Sequence, residues 1–277
     1  MSDFNLTTSR PAVLTTSTRP NLDILSNSFE RALISKLNTF PMLPFSVRRV
    51  LILISLVGTI SVDSSASLER VFLKFSLLSK STITAYRNQD YEKLEIYVGN
   101  FAEMNFTKKF DYITMIGVLE YANMFLPNSR NAFVDMICRC KDLLKDDGKL
   151  FIAIENRLGM KYWAGAAEDH TGICFDGIEN YPKTDRVRTF SKSELEQIVV
   201  SAGMSKIEWF YPYPDYKLPM QIFSDAFLPT PELLSGDVSA YDSDRIQLFN
   251  ERKALQSMAG TEEFKIFSNS FLLVVGK

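Results

Sequence analysis

The chain carries one imidazole, His170, within Glu168-Asp169-His170-Thr171. An imidazole titrates nearest to neutrality, and an adjacent carboxylate can set its tautomer. His170 is therefore the candidate general base for taking a proton from an oxygen acceptor. Two further polar blocks follow apolar stretches: Glu120-Tyr121 after residues 110–117 (FDYITMIG), and Glu155-Asn156-Arg157 after residues 150–154 (LFIAI). A polar pair just beyond a parallel strand stands where open α/β sheets bind ligands. Each has a plainer reading. Glu120 can cap or solvate a helix start, His170 can be an exposed loop histidine, and Tyr162 and Trp163 can pack a core or lid.

The elements that must position these residues are legible from residue 94 onward. Residues 94–98 (LEIYV) and 110–117 read as strands. Between 131 and 144, Ala132, Phe133, Met136, Ile137, Cys140, Leu143 and Leu144 trace one helical face. A turn at Lys145-Asp146-Asp147-Gly148 leads into the wholly apolar run 150–154, the pattern of a parallel sheet covered on both faces. Ser191-Lys192-Ser193-Glu194 is a capping box. Leu195, Ile198, Val199 and Ala202 continue it at helical spacing, and Gly203 suits a left-handed stop. Strands over 206–211 and 270–275 complete the chain. Residues 1–45 read as a Ser/Thr/Pro-rich leader followed by a helix over 27–38, and residues 46–277 as one α/β domain. The segments 155–190 and 212–265 are insertions on its acceptor side; long polar insertions in compact domains are usually functional.

Bulk properties narrow the classes. The 277 residues carry a net charge of -2, so no basic field is present to hold nucleic acid. The three cysteines form no C-x-x-C pair, which argues against a disulfide framework or a structural zinc site, and no metal ligands are assigned. Residues 50–62 are apolar, but thirteen residues cannot span a bilayer core, which takes about 20 as a helix. No membrane span is expected. The N-terminus lacks a basic region followed by an apolar stretch, which points to the cytoplasm.

From residue 94 to the end, about 185 of the 277 residues, the strand and helix order resembles the class I S-adenosylmethionine-dependent methyltransferases. The blocks 154–159 (IENRLG), 162–171 (YWAGAAEDHT), 175–177 (FDG), 188–191 (RTFS) and 213–219 (YPDYKLP) resemble a bacterial subgroup that accompanies glycosyltransferases and surface-glycan assembly. The resemblance implies a Rossmann-like, mostly parallel sheet ending in an antiparallel hairpin, with an irregular or incomplete N-terminal part. It implies S-adenosylmethionine as cofactor, a small-molecule or glycan acceptor and a glycosyltransferase partner. Gly58, Asp63, Asn100, Phe101, Gly117, Glu120 and Tyr121 would then lie at the cofactor. Glu155, Asn156, Arg157, Tyr162, Glu168, Asp169, Asp176, Asp215 and Tyr216 would lie at the acceptor. The cofactor's positive sulfur favours carboxylates and aromatic faces.

The first third departs from that pattern. Of twelve glycines only Gly58 precedes Gly99, whereas the first strand should end in a Gly-rich turn that admits the ligand to the backbone. If residues 50–54 and 59–63 are the first two strands, four residues separate them, too few for a parallel crossover. They are then a hairpin, or one of them is not a sheet strand. Two functions follow: methyl transfer with weakened cofactor binding, or a non-catalytic methyltransferase-like module in a glycan-assembly complex.

Overall fold

The computed structural model describes residues 12–13, 50–54, 97–98, 100–184, 186–235 and 245–277. The expected cofactor residues Gly58 and Asp63 lie outside them, as do the helix over 27–38 and the segment 59–63. The chain divides into two units, one formed by Met1–Leu43 with Leu56–Asn105 and the other by Pro44–Ser55 with Phe106–Lys277.

In the first unit, β1 (Ala12–Val13) pairs antiparallel with β3 (Tyr97–Val98). Tyr97 and Val98, the described part of the strand expected over 94–98, thus pair outside the parallel sheet. Their backbone groups meet Ala12 and Val13, in a two-stranded sheet of their own. Asn100 caps the 3-10 turn Phe101–Glu103, accepting from the Ala102 amide and donating to the Glu103 carboxylate, each at 3.0 Å.

The second unit is an α/β arrangement around a six-stranded mixed sheet of order β2-β4-β5-β8-β6-β7. β2 (Val50–Ile54), β4 (Phe110–Ile116) and β5 (Leu144–Glu155) run parallel. Val50–Ile54 is therefore a sheet strand, Val50 lying opposite Tyr112. β8 (Ser270–Gly276) is antiparallel to β5, and β6 (Lys206–Tyr213) is antiparallel both to β8 and to the edge strand β7 (Gln221–Ser224). Ile113, Met115, Ile152 and Ile154 are wholly buried at the centre. The unbroken apolar run of β5 is what a strand covered on both faces requires.

Two short helices, α1 (Ala122–Phe125) and α2 (Ala132–Leu143), connect β4 to β5. Asn131 caps α2 through the Val134 amide, and Met136, Ile137 and Cys140 form its buried face. The turn expected at 145–148 is instead an irregular stretch within β5, where the pairing with β4 slips between Phe110 and Tyr112. Lys145 bonds Asp111 at 2.9 Å there, which anchors the bulge to β4. A one-turn helix α3 (Met160–Trp163) follows β5, and α4 (Lys192–Ser201) begins with the expected capping box. Helices α5 (Glu251–Ser257) and α6 (Glu262–Phe267) precede β8.

Candidate functional site

The carboxyl ends of β4 and β5 place the polar blocks side by side. After Ile116 the chain turns at Gly117, whose φ of +63° is the left-handed region open to glycine. That turn sends Glu120 inward on a 3-10 turn, Leu119–Tyr121, where it is 1% exposed. β5 ends in Glu155, completely buried and opposite Ser270 of β8.

The loop after α3 brings His170 back over both glutamates. Its backbone N–H and that of Thr171 donate to Glu168 at 2.7 Å, and the Tyr181 hydroxyl donates to the other Glu168 oxygen at 3.1 Å. Glu168 thus fixes the loop. His170 Nδ1 lies 3.1 Å from the Tyr121 hydroxyl, and its Nε2 lies 3.8 Å from Glu155 Oε2, an ion-pair distance longer than a hydrogen bond. The other Glu155 oxygen receives Lys217 Nζ at 2.8 Å and the Tyr216 hydroxyl at 3.2 Å.

Lysines knit the rest. Lys161 is buried and donates to Asp169 at 2.9 Å and Asp215 at 3.1 Å; Lys217 also reaches Asp169, at 2.9 Å. Lys161 Nζ stands 4.9 Å from the ring centre of Tyr162, whose hydroxyl is buried with no hydrogen-bond partner among the described residues. Five carboxylates (Glu120, Glu155, Glu168, Asp169, Asp215) therefore converge on two ammonium groups and one imidazole. The cluster meets solvent through Asp169 and Lys217, whose side chains are 21% and 35% exposed.

These charges set the proton inventory. Burial, and then the charge of Glu155, push Glu120 up to about 8, against smaller lowering by His170 and Lys217. Burial would raise Glu155 as well, but Lys217, His170 and Lys161 together hold it well below the usual carboxylate range. Burial alone would lower His170, yet Glu155 first, then Glu168 and Glu120, carry it up to about 9. Near neutrality the cluster thus holds an ionised Glu155, a largely protonated Glu120 and an imidazolium, a set that can give or take protons.

Of the expected site residues, Gly117, Glu120, Tyr121, Glu155, Tyr162, Glu168, Asp169, His170, Asp215 and Tyr216 come together here. Asn156 and Arg157 do not point into the cluster. The Asn156 amide donates to the Ile266 and Ser268 carbonyls at 2.7 Å, and Arg157 clasps Glu194 of the capping box at 2.7 and 3.2 Å. Asp176 is buried in the turn closed by the Tyr181 amide, at 2.8 Å from the Asp176 carbonyl. Asn100 and Phe101 belong to the first unit. Lys161 and Lys217 are members of the cluster that the residue types did not single out. Lys217 sits inside the block 213–219, next to Tyr216, and Lys161 between the blocks 154–159 and 162–171, next to Tyr162; the excess of nearby carboxylates was the signal for them.

No family model matches the chain, and neither does any curated protein. Among solved structures, it is similar to a SAM-dependent methyltransferase of Thermotoga maritima described as a possible histamine N-methyltransferase, with 12% identity over 62% of this chain and 59% of that one, at a TM-score of 0.32. It is similar to Haemonchus contortus phospholethanolamine N-methyltransferase 2 in complex with phosphomonomethylethanolamine and S-adenosylhomocysteine, with 14% identity over 90% of this chain and 53% of that one, at a TM-score of 0.42. A SAM-dependent methyltransferase of Archaeoglobus fulgidus shows 11% identity over 61% and 60%, at a TM-score of 0.31. The chain thus spans about three-fifths or less of each of these proteins. At such values these remain similarities, and the chemistry has to come from the residues themselves.

Proposed function

We propose that the chain transfers a methyl group from S-adenosylmethionine to a hydroxyl of a small-molecule acceptor, and that this acceptor is a sugar or glycan precursor. The observation that carries the reading is the convergence of five carboxylates with His170 at the carboxyl ends of β4 and β5. Such an excess of negative charge at the mouth of a parallel sheet suits a cationic donor. The cofactor, when bound, supplies a methyl group activated by its positive sulfur.

The chain's own residues then divide the work. Gly117, Glu120 and Tyr121 form the donor side, at the turn after β4. Tyr162, Asp169, Asp215 and Tyr216 form the acceptor side, where carboxylate oxygens can accept bonds from sugar hydroxyls. Holding the two reactants in line is the larger part of the rate gain. His170, with Nδ1 occupied by Tyr121, takes the acceptor's proton at Nε2 in its deprotonated form, so transfer should rise with pH toward about 9, where the imidazolium loses its proton. A glycosyltransferase partner is part of the same reading and rests on the likeness of the polar blocks alone.

Calorimetric titration of the full chain with S-adenosylmethionine tests the donor. Saturable binding is expected; no heat at millimolar ligand overturns the proposal and leaves the non-catalytic module. Methyl-labelled cofactor with sugar-nucleotide acceptors tests the second half. His170→Gln should keep cofactor binding and lose transfer.

A further inference from the structure

Three polar atoms at the centre of the cluster have no hydrogen-bond partner among the described residues although they are buried: Glu120 Oε2, Glu155 Oε2 and His170 Nε2. Leaving such groups unmet costs free energy, and three together mark a place built for something else. Glu120 and Glu155 are 1% and 0% exposed. One ligand atom from each of the three residues lies within 4.8 Å of the others, and His170 Nε2 faces Glu155 Oε2 at 3.8 Å. That gap is atom-sized. Metal–ligand bonds of about 2.0–2.4 Å, met from three sides, span it after a small contraction.

We infer that Glu120, Glu155 and His170 form a binding site for one divalent first-row transition-metal ion, such as manganese. Two carboxylate oxygens and one imidazole nitrogen make a mixed donor set that suits such ions, and the coordination positions left over stay open to water or substrate oxygen. The surroundings match what a metal site requires. The Nδ1–H of His170 can donate to the Tyr121 hydroxyl at 3.1 Å, which leaves the Nε2 lone pair for the ion. Tyr216 and Lys217 bind the far oxygen of Glu155 and so orient the near one. Once Glu120 and His170 give up their protons to act as ligands, five carboxylates face two ammonium groups, a negative charge that a divalent cation offsets. A water molecule would satisfy some of the three atoms but none of that charge.

The site stands on these three residues whether or not methyl transfer holds. Where both hold, the ion takes the Nε2 lone pair, and the acceptor hydroxyl is activated by the metal instead of by the imidazole.

The test uses the full chain purified without a histidine tag and stripped with chelator. Titration with Mn²⁺, which has little affinity for the free thiols of Cys138 and Cys174, should show one site per chain. Glu120→Gln and Glu155→Gln should each weaken it at least tenfold. If these variants fail to fold, the wild-type protein still decides the matter. His170 is the only histidine, so a single set of ring signals in nitrogen-15 spectra reports it, and bound Mn²⁺ must broaden that set beyond detection. No binding, binding unchanged in folded variants, or ring signals untouched by bound Mn²⁺ would overturn the inference. None of these readouts needs cofactor or acceptor, so failure here is distinct from failure of the methyl-transfer reading.

Discussion

The Tyr121 hydroxyl lies 3.1 Å from His170 Nδ1, and the two rings meet edge to face with centroids 5.3 Å apart. Forty-nine residues separate them in sequence. The contact fixes which ring nitrogen faces the two glutamates; the hydroxyl accepts from Nδ1–H or donates to a bare Nδ1 according to the state of the ring. Tyr121→Phe keeps the ring contact and removes only this bond. Stability should fall by about 0.5–1.5 kcal/mol, as for one partly buried hydrogen bond. The nitrogen-15 shifts of the sole imidazole should move at the same time; unchanged shifts would mean that the hydroxyl does not bond the ring.

His170 also predicts a pH dependence for the metal-free protein. Its pKa is carried from 6.5 up to about 9, burial being outweighed by Glu155, Glu168 and Glu120. A group raised on folding contributes stability that is complete below its unfolded value and is lost as pH rises through the folded one. Stability should therefore decline between about pH 6.5 and 9, and Glu120, raised from 4.5 to about 8, adds a decline of the same sign at lower pH. Urea denaturation across this range should show the loss, and His170→Gln should flatten its upper part. A His170 titration at or below 6.5 by nitrogen-15 shifts would contradict the cluster's charge balance.

Much of this was readable from residue types. The two-face burial of β5 follows from its five-residue apolar run, α2 from seven apolar positions on one face, and the start of α4 from a Ser and a Glu three apart. The polar blocks marked loops that the fold brings together, because acids and aromatics that punctuate apolar strands gather at strand ends. Their division of labour was not readable. Asn156 and Arg157 follow Glu155 directly, but a strand that ends there turns successive side chains to different sides. Asn156 thus serves the backbone before β8 and Arg157 the capping box, while Glu155 alone faces His170. The pairing of 97–98 with 12–13 needed long-range information that no local periodicity contains.

Glu194 links that helix cap to pH. Burial would raise its pKa, but bonds from Arg157 and Ser191 lower it below the ordinary value of 4.5. A depressed acid contributes stability above its unfolded pKa and loses it as pH falls through the folded one. Glu194→Gln should cost about 1 kcal/mol at pH 7, the usual size of a capping contribution. The difference from wild type should shrink as pH falls below about 4.5. A gap that stays constant into acid would show that packing, not charge, is what the substitution removes.

Lys161 is the buried cation of the cluster, at 2.9 Å from Asp169 and 3.1 Å from Asp215. Lys161→Met keeps the stem's volume but strands Asp215, which is itself buried, without its ammonium partner. Removing one member of a buried pair typically costs about 3–5 kcal/mol, most of it the penalty of the charge left behind. Adding Asp215→Asn removes that charge, and the double variant should recover part of the loss in denaturant unfolding. If the double variant is as unstable as the sum of both singles, the two residues do not interact.

Gly117 couples the backbone to the same cluster. A Cβ there would stand 3.1 Å from the Tyr216 hydroxyl and 3.5 Å from Glu120 Oε1, on a backbone with φ of +63°. The left-handed conformation alone costs an alanine about 1–2 kcal/mol. The contact adds to it by pushing Tyr216 from Glu155, to which it donates at 3.2 Å. Gly117→Ala should therefore lower the melting temperature by several degrees, at roughly 2–4 °C per kcal/mol for a chain of this size. In a Tyr216→Phe background the hydroxyl is absent, so the contact part of the cost disappears and only the conformational part remains. A double-mutant cycle should thus give a non-zero coupling between positions 117 and 216. Strict additivity would place the whole cost in the backbone and remove Gly117 from the packing of the site.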